Sequence, residues 1–239
     1  MSTTRDELEA SVRELEAQIP HADPSMRAIL EQQIQALRDT SAMLQRYEPH
    51  MAEAARHRPE LGPELRTFFT PEPAAEVPAW IPDTITLAEL HEGALRCPPE
   101  AQVYRLDDGL SCAIPGQRGV SRSVTHGLTL KFFSTGRLQH QQLFERGLLR
   151  WSIQYHAASG ARESVGFYAA TEPLTYPEHG LHTRYASNGV VIAQAWFWTG
   201  QRHGWSKTWE DDGFPIGATL YHQGREVETV LPNGERRKA

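Results

Sequence analysis

The first third of the chain alternates apolar and polar positions with a helical period. Leu8, Val12, Leu15 and Ile19 follow at steps of four, three and four, which makes one apolar stripe. Thr4 and Glu7 ahead of it have capping-box spacing. Pro20 ends this segment. Asp23-Pro24 restarts the pattern, with Asp as N-cap and Pro at the first helical position. Leu30, Leu37, Leu44 and Met51 then recur every seven residues, with Met26 and Ile34 beside them. The pattern predicts an acidic helical hairpin with coiled-coil character over residues 1–69. Its heptads are too few and too broken to fix an oligomer. Pro49 should end or kink the second helix, and Leu61–Phe69 fits a further short helix.

Residues 70–82, TPEPAAEVPAWIP, carry four prolines and read as a semi-rigid linker, which places the domain boundary there. Thr84 to Leu95 fits one short helix, broken by Cys97-Pro98-Pro99. From about Ala101 the helical period disappears. Short runs rich in Thr, Val, Tyr, Phe and Trp alternate with X-Gly turn signals, the signature of β-hairpins. The predicted fold class is α+β: an N-terminal helical hairpin, then an antiparallel β-meander of repeated hairpins over 83–239. Roughly ten strands follow from the hairpin spacing.

The meander is internally repetitive. The pattern HG-x4-aromatic-x3-G occurs without gaps as His126-Gly127, Phe132, Gly136; as His179-Gly180, Tyr185, Gly189; and as His203-Gly204, Trp209, Gly213. A second pattern, G-x7-aromatic-x2-G, follows each: Gly136, Phe144, Gly147; Gly189, Phe197, Gly200; Gly213, Tyr221, Gly224. A fourth copy runs from Gly160 to Tyr168 and has Thr171 in the last glycine slot. The turn glycines Gly136, Gly160, Gly189 and Gly213 are thus 24, 29 and 24 residues apart, and the extra residues lie in TEPLTYPEHG. Asp212-Gly213 and Asn188-Gly189 suit tight turns, where glycine or asparagine accepts positive φ. Asp108-Gly109 marks a degraded early copy and Asn233-Gly234 a truncated last one. Stacked hairpins pair their edges and align their aromatics into a ladder.

Over about residues 120–235 this pattern resembles the MORN-type repeat, in the variant found in YwqK-like bacterial antitoxins. The resemblance implies a repeat protein without catalytic chemistry that neutralises a partner toxin by contact. It is specific as to architecture and weakly specific as to function, since MORN-like arrays also serve as protein-binding and membrane-associated scaffolds. The chain departs from the pattern at Arg150-Trp151, where HG is expected, and at Tyr155, one residue further from its glycine. A β-bulge would accommodate that copy.

Charge sharpens the picture. The net charge of -6 sits entirely in residues 1–82, which hold 8 Arg against 14 Asp and Glu; residues 83–239 hold 16 of each sign. Nucleic-acid binding needs a basic stripe and is disfavoured. The acidic arm suits a basic protein partner such as a toxin, although an acidic solvated helix face is the plainer reading. Membrane association is an alternative that the neutral sheet region disfavours. Self-association through residues 4–57 is another. No apolar run of about 18 residues predicts a membrane span. The acidic N-terminus lacks signal-peptide character, so a cytoplasmic protein is expected, with Cys97 and Cys112 as free thiols.

Candidate chemistry is thin. His126, His179 and His203 occupy equivalent places in successive units. Neighbouring ones should lie two strand spacings apart, about 9–10 Å, too far to share a metal. They are read as repeat-structural, packing or bonding to a turn. Glu210-Asp211-Asp212 precede a turn glycine and read as a loop tip. Gly116 to Ser123, GQRGVSRS, has anion-binding composition, yet an ordinary loop is the stronger reading. No GxSxG, P-loop, HExxH or GxGxxG occurs, and no cofactor is expected. Trp205 and Trp209 share one strand face and read as core. Trp196 and Trp198 flank the ladder residue Phe197 and point the other way, as Phe167, Leu143 and Leu220 do beside Tyr168, Phe144 and Tyr221. One sheet layer cannot bury both of its faces. These five are therefore the candidate partner-binding residues, unless the helical arm covers them.

Overall fold

A computed structural model of the chain describes residues 2–21, 24–56, 58–74, 85–88, 95–116 and 123–239. The chain divides into two compact units, Met1–Glu60 and Leu61–Ala239. The division falls before the proline-rich stretch expected to be the boundary.

The first unit is the helical hairpin. Helix α1 (Ser2–Gln18) runs into a single 3-10 turn (Ile19–His21), and α2 (Pro24–Arg56) follows. Among the described residues, Leu30 and Ile34 are buried. Arg38 bonds Glu16 across the hairpin at 2.5 Å, an exposed pair worth under about 1 kcal/mol. Two boundary expectations are corrected. Helix α1 already runs from Ser2, so Thr4 lies inside it rather than capping it. Helix α2 continues through Pro49 to Arg56. Proline removes one backbone bond, and the good helix formers of MAEAAR carry the helix onward. Asp23, expected as N-cap, lies outside the described residues, while Pro24 does open α2.

The second unit opens with α3 (Pro63–Phe69), capped by Gly62 with proline in its first turn. Twelve strands follow: β1 (Gln102–Leu106), β2 (Gly109–Ile114), β3 (Val124–Phe132), β4 (Leu138–Glu145), β5 (Leu148–Tyr155), β6 (Arg162–Phe167), β7 (Gly180–Tyr185), β8 (Val191–Trp198), β9 (Gln201–Trp209), β10 (Pro215–His222), β11 (Arg225–Val230) and β12 (Arg236–Lys238). They form one sheet in chain order, every neighbouring pair antiparallel. The meander is thus two strands longer than the hairpin spacing suggested. Thr86, placed in a helix by sequence, instead bridges Arg137 in β fashion; residues 89–94 of that expected helix lie outside the described residues.

The register puts one unbroken row of buried side chains across the sheet. It runs Leu110, Leu130, Gln141, Ile153, Val165, Thr183, Gln194, Lys207, Ala218, Val230, each directly opposite the next. Opposed residues share a sheet face, so this row defines a covered face. The chain upstream of the sheet supplies its cover. Ile85, Leu87, Leu95 and Cys97 pack over the early strands, and Leu65, Phe68 and Phe69 over the late ones. The cover comes from within the second unit, from stretches read by sequence as two short helices, 61–69 and 84–95, and the break after the second.

The thiols are not free: Cys97 and Cys112 form a disulfide that closes 15 residues. Cys112 lies on the covered face of β2, and the cover brings Cys97 above it. Such a loop closure contributes about 3 kcal/mol by constraining the unfolded chain.

Candidate interaction surface

Two kinds of turn alternate along the meander. Asn188-Gly189, Asp212-Gly213 and Asn233-Gly234 do not make two-residue turns. In each, the glycine N–H donates to the residue three back (Ala186, Glu210, Leu231), and that residue's N–H reaches one residue past the glycine. This is a type I turn closed by a glycine bulge. Only the glycine takes positive φ; the Asn or Asp side chain accepts the N–H two residues on, at 2.9–3.0 Å. Asp212 is therefore a turn residue. Two-residue turns with positive φ at both positions are Arg146-Gly147, Thr199-Gly200 and Gln223-Gly224; Asp107-Asp108, between Leu106 and Gly109, is a further two-residue connection.

The HG elements serve those second turns. Thr125, Glu178 and Arg202, each just before an HG histidine, accept the N–H of Gly147, Gly200 and Gly224 at 2.7, 2.9 and 2.8 Å. Nδ1 of His126 accepts the N–H of Arg146 at 3.1 Å, and Nδ1 of His203 that of Gln223 at 3.5 Å. In the middle unit Nδ1 of His179 is buried without a hydrogen bond, and its ring leans on Trp198 at 4.7 Å. Gly127, Gly180 and Gly204 adopt φ of 105°, 80° and 94° and lie opposite Phe144, Phe197 and Tyr221. An imidazole spending Nδ1 on an N–H acceptor role is a turn clamp rather than a metal ligand.

The aromatics do not form a single ladder. Phe132, Tyr185 and Trp209 stand an odd number of residues past the HG glycine and join the covered face. Phe144, Tyr168, Phe197 and Tyr221 occupy the opposite face, half-buried. There His182 packs between Tyr168 (5.5 Å) and Phe197 (4.9 Å). Burial lowers the His182 pKa, against the opposing pull of its Phe167 backbone bond and Glu178. Burial, reinforced by Glu178, raises that of Tyr168. Arg202 lies over the Tyr221 ring. The irregular copy has its register shift between Gln154 and Tyr155, where a bulge was expected. Gly136 and Gly160 adopt positive φ in the β3–β4 and β5–β6 turns.

The five candidate partner-binding residues separate accordingly. Leu143 and Phe167 are half-buried against the main core, and Leu220 is half-buried opposite Trp205. Leu143 and Phe167 thus pack on the main core, whereas Leu220 is half-buried outside both core clusters. Trp196 and Trp198 remain 40% and 61% exposed. Trp196 donates Nε1–H to the Glu72 carboxylate at 3.1 Å. Glu72 belongs to an extended stretch held through its backbone. Gln194 accepts its N–H (2.8 Å) and donates to its C=O (2.7 Å). Lys207 donates to Phe68 O (2.6 Å), and Trp209 Nε1 to Phe69 O (2.9 Å). Desolvation lowers the pKa of Lys207, and the nearby Glu72 charge opposes that shift.

Sequence reasoning missed two exposed apolar residues beside this rim. Leu174 is 85% exposed and Tyr176 44% exposed, both in the insertion that the 29-residue spacing had flagged. The Gly116–Ser123 candidate lies outside the described residues at 117–122. Among the described residues, no group of three or more His, Cys, Asp or Glu is placed to hold a metal ion. Among them, too, no helix is long and apolar enough to cross a membrane.

No family model and no curated protein matches the sequence. Solved structures share similarity with it at low level. The GtfA/B complex bound to UDP and GlcNAc aligns over 61% of this chain with a TM-score of 0.29 and 12% identity. The accessory secretory protein 1, 2 and 3 structure from Streptococcus pneumoniae aligns over 63%, with a TM-score of 0.26 and 10% identity. TarM aligns over 53%, with a TM-score of 0.22 and 12% identity. The aligned regions span only 27%, 22% and 21% of those chains.

Proposed function

We propose that this is a non-enzymatic, protein-binding repeat protein of the MORN-variant, YwqK-like kind, acting as an antitoxin that occludes a cognate toxin by contact. The observation that carries the reading is Trp198. The sheet's apolar face is covered by the chain itself, yet this indole is left 61% exposed beside a half-exposed Trp196. Exposed tryptophan on a rigid sheet is typical of an interface anchor. The acidic first 82 residues would speed encounter with a basic partner. The test is co-expression with the product of the adjacent gene. Rescue of growth by the intact chain, and a stable complex on co-purification, are expected. A non-toxic neighbour, or toxicity that persists, overturns it.

A second reading, a scaffold that self-associates through its arm, draws on the mismatch of its helices. Helix α2 has 33 residues against 17 in α1. At about 1.5 Å per residue, α1 flanks only half of it. A monomer by sedimentation equilibrium would remove this reading. A cytoplasmic location was expected from the N-terminus; the Cys97–Cys112 bond favours an oxidising compartment instead.

A further inference from the structure

The loop from Thr171 to Pro177 interrupts the repeat. Elsewhere the position is filled by a two-residue turn; here the turn-glycine spacing lengthens to 29 residues. The loop is seated between the two flanking turns. Pro173 lies against Gly147 and Pro177 against Gly200, while Thr175 folds back onto the Glu172 carbonyl. A loop braced in this way still presents Leu174 at φ 66°, in the left-handed region, with 85% of its surface exposed. Leucine gains nothing from solvent there, and glycine or asparagine would sit without strain. An apolar side chain left exposed at a strained backbone position motivates a functional reading.

The loop itself carries only acid, and the arginines of the turns beside it, Arg146 and Arg202, are engaged with Glu100 and Tyr221. Residues 169–180 hold two glutamates and no lysine or arginine. Through Pro177 and Gly200 the loop adjoins Trp198, whose ring lies tilted against His179. Trp196, on the same face, holds the Glu72 carboxylate. Arg150 reaches Ala170 O at the loop base but is already paired with Glu145. Resting on the protein-binding reading above, we infer that Leu174, Tyr176 and Trp198, rimmed by Glu72 and Glu172, form one docking patch, and that its occupant is a protein surface with an apolar pocket ringed by lysine or arginine. Leucine and indole anchor by desolvation, and the carboxylates select the basic rim.

A phage library of short random peptides, selected on the immobilised full chain, tests this without knowledge of the natural partner. Enriched peptides should carry Lys or Arg around a large apolar residue, and weaken as salt rises. They should bind Trp198→Ser and Leu174→Gly about tenfold more weakly. The Leu174→Gly chain should also melt higher than the parent, because its backbone strain is gone, so weak binding cannot be blamed on unfolding. No enrichment, enrichment of acidic or uncharged peptides, or unchanged binding to both variants overturns the inference. The toxin assay is independent: a non-toxic neighbour with basic peptides still enriched discards the antitoxin and keeps the patch.

Discussion

The α-carbon of Gly127 lies directly against the disulfide at Cys112. A β-carbon built on this glycine would fall 2.9 Å from Cys112 Cβ and 2.7 Å from Pro98 Cδ. The equivalent Gly180 has nothing within 4 Å of such an atom. Both have positive φ, so both substitutions carry backbone strain of about 1–2 kcal/mol. Only Gly127→Ala adds overpacking, about 1–3 kcal/mol more. Urea titration of the two variants should rank Gly127→Ala clearly below Gly180→Ala; equal losses would mean that the cover is not seated there.

Reduction should loosen the same region. The Cys97–Cys112 bond closes 15 residues, so Cys97→Ser with Cys112→Ser should lower stability by about 3 kcal/mol. Reductant should do the same to the parent and leave the double variant unaffected. Thermal unfolding with and without reductant measures both.

The docked stretch Phe68–Glu72 offers a third test. Gln194 both donates to and accepts from the Glu72 backbone. Gln194→Ala leaves a part-buried N–H and C=O without their partner, at about 1–3 kcal/mol. Trp209→Phe removes one bond, to Phe69 O, at about 1 kcal/mol. Hydrogen exchange should show the Glu72 amide deprotected in Gln194→Ala while the strand amides of β5 stay protected.

These residues mark where sequence reasoning reached its limit. The HG and X-Gly positions were legible because they answer to backbone geometry, which glycine advertises locally. The faces of the aromatics were miscounted for want of one fact: Gly204 stands opposite Tyr221, so Trp209, five residues on, must face the other way. The cover was illegible for a different reason. Gln194, Lys207 and Trp209 grip Phe68–Glu72 through main-chain atoms, which leave no pattern in the gripped segment's side chains. The disulfide was missed because spacing alone cannot show that Cys97 returns over β2. Trp198 was one of five candidates for an uncovered face, with intramolecular cover the plainer alternative; Leu174 was passed over because the prolines around it read as an extra loop.

Acid should destabilise the sheet through two half-buried histidines. Burial lowers the pKa of His182, with the Phe167 backbone bond and Glu178 pulling the other way. Burial, then Lys131, lowers that of His140, against Asp108. In the unfolded chain both titrate near the ordinary value of about 6.5. Between the folded and unfolded values the unfolded state binds more protons, so stability rises with pH across that window. It is fully present above about pH 7.5 and is lost as pH falls through about 6.5 toward the depressed folded values. His182 fills the space over Gly166, where a β-carbon would fall 2.6 Å from its ring. His182→Gln keeps a polar group there and removes the titration. Urea midpoints between pH 8 and 5.5 should therefore fall less steeply for His182→Gln than for the parent. Parallel slopes would show that His182 is not buried in its neutral form.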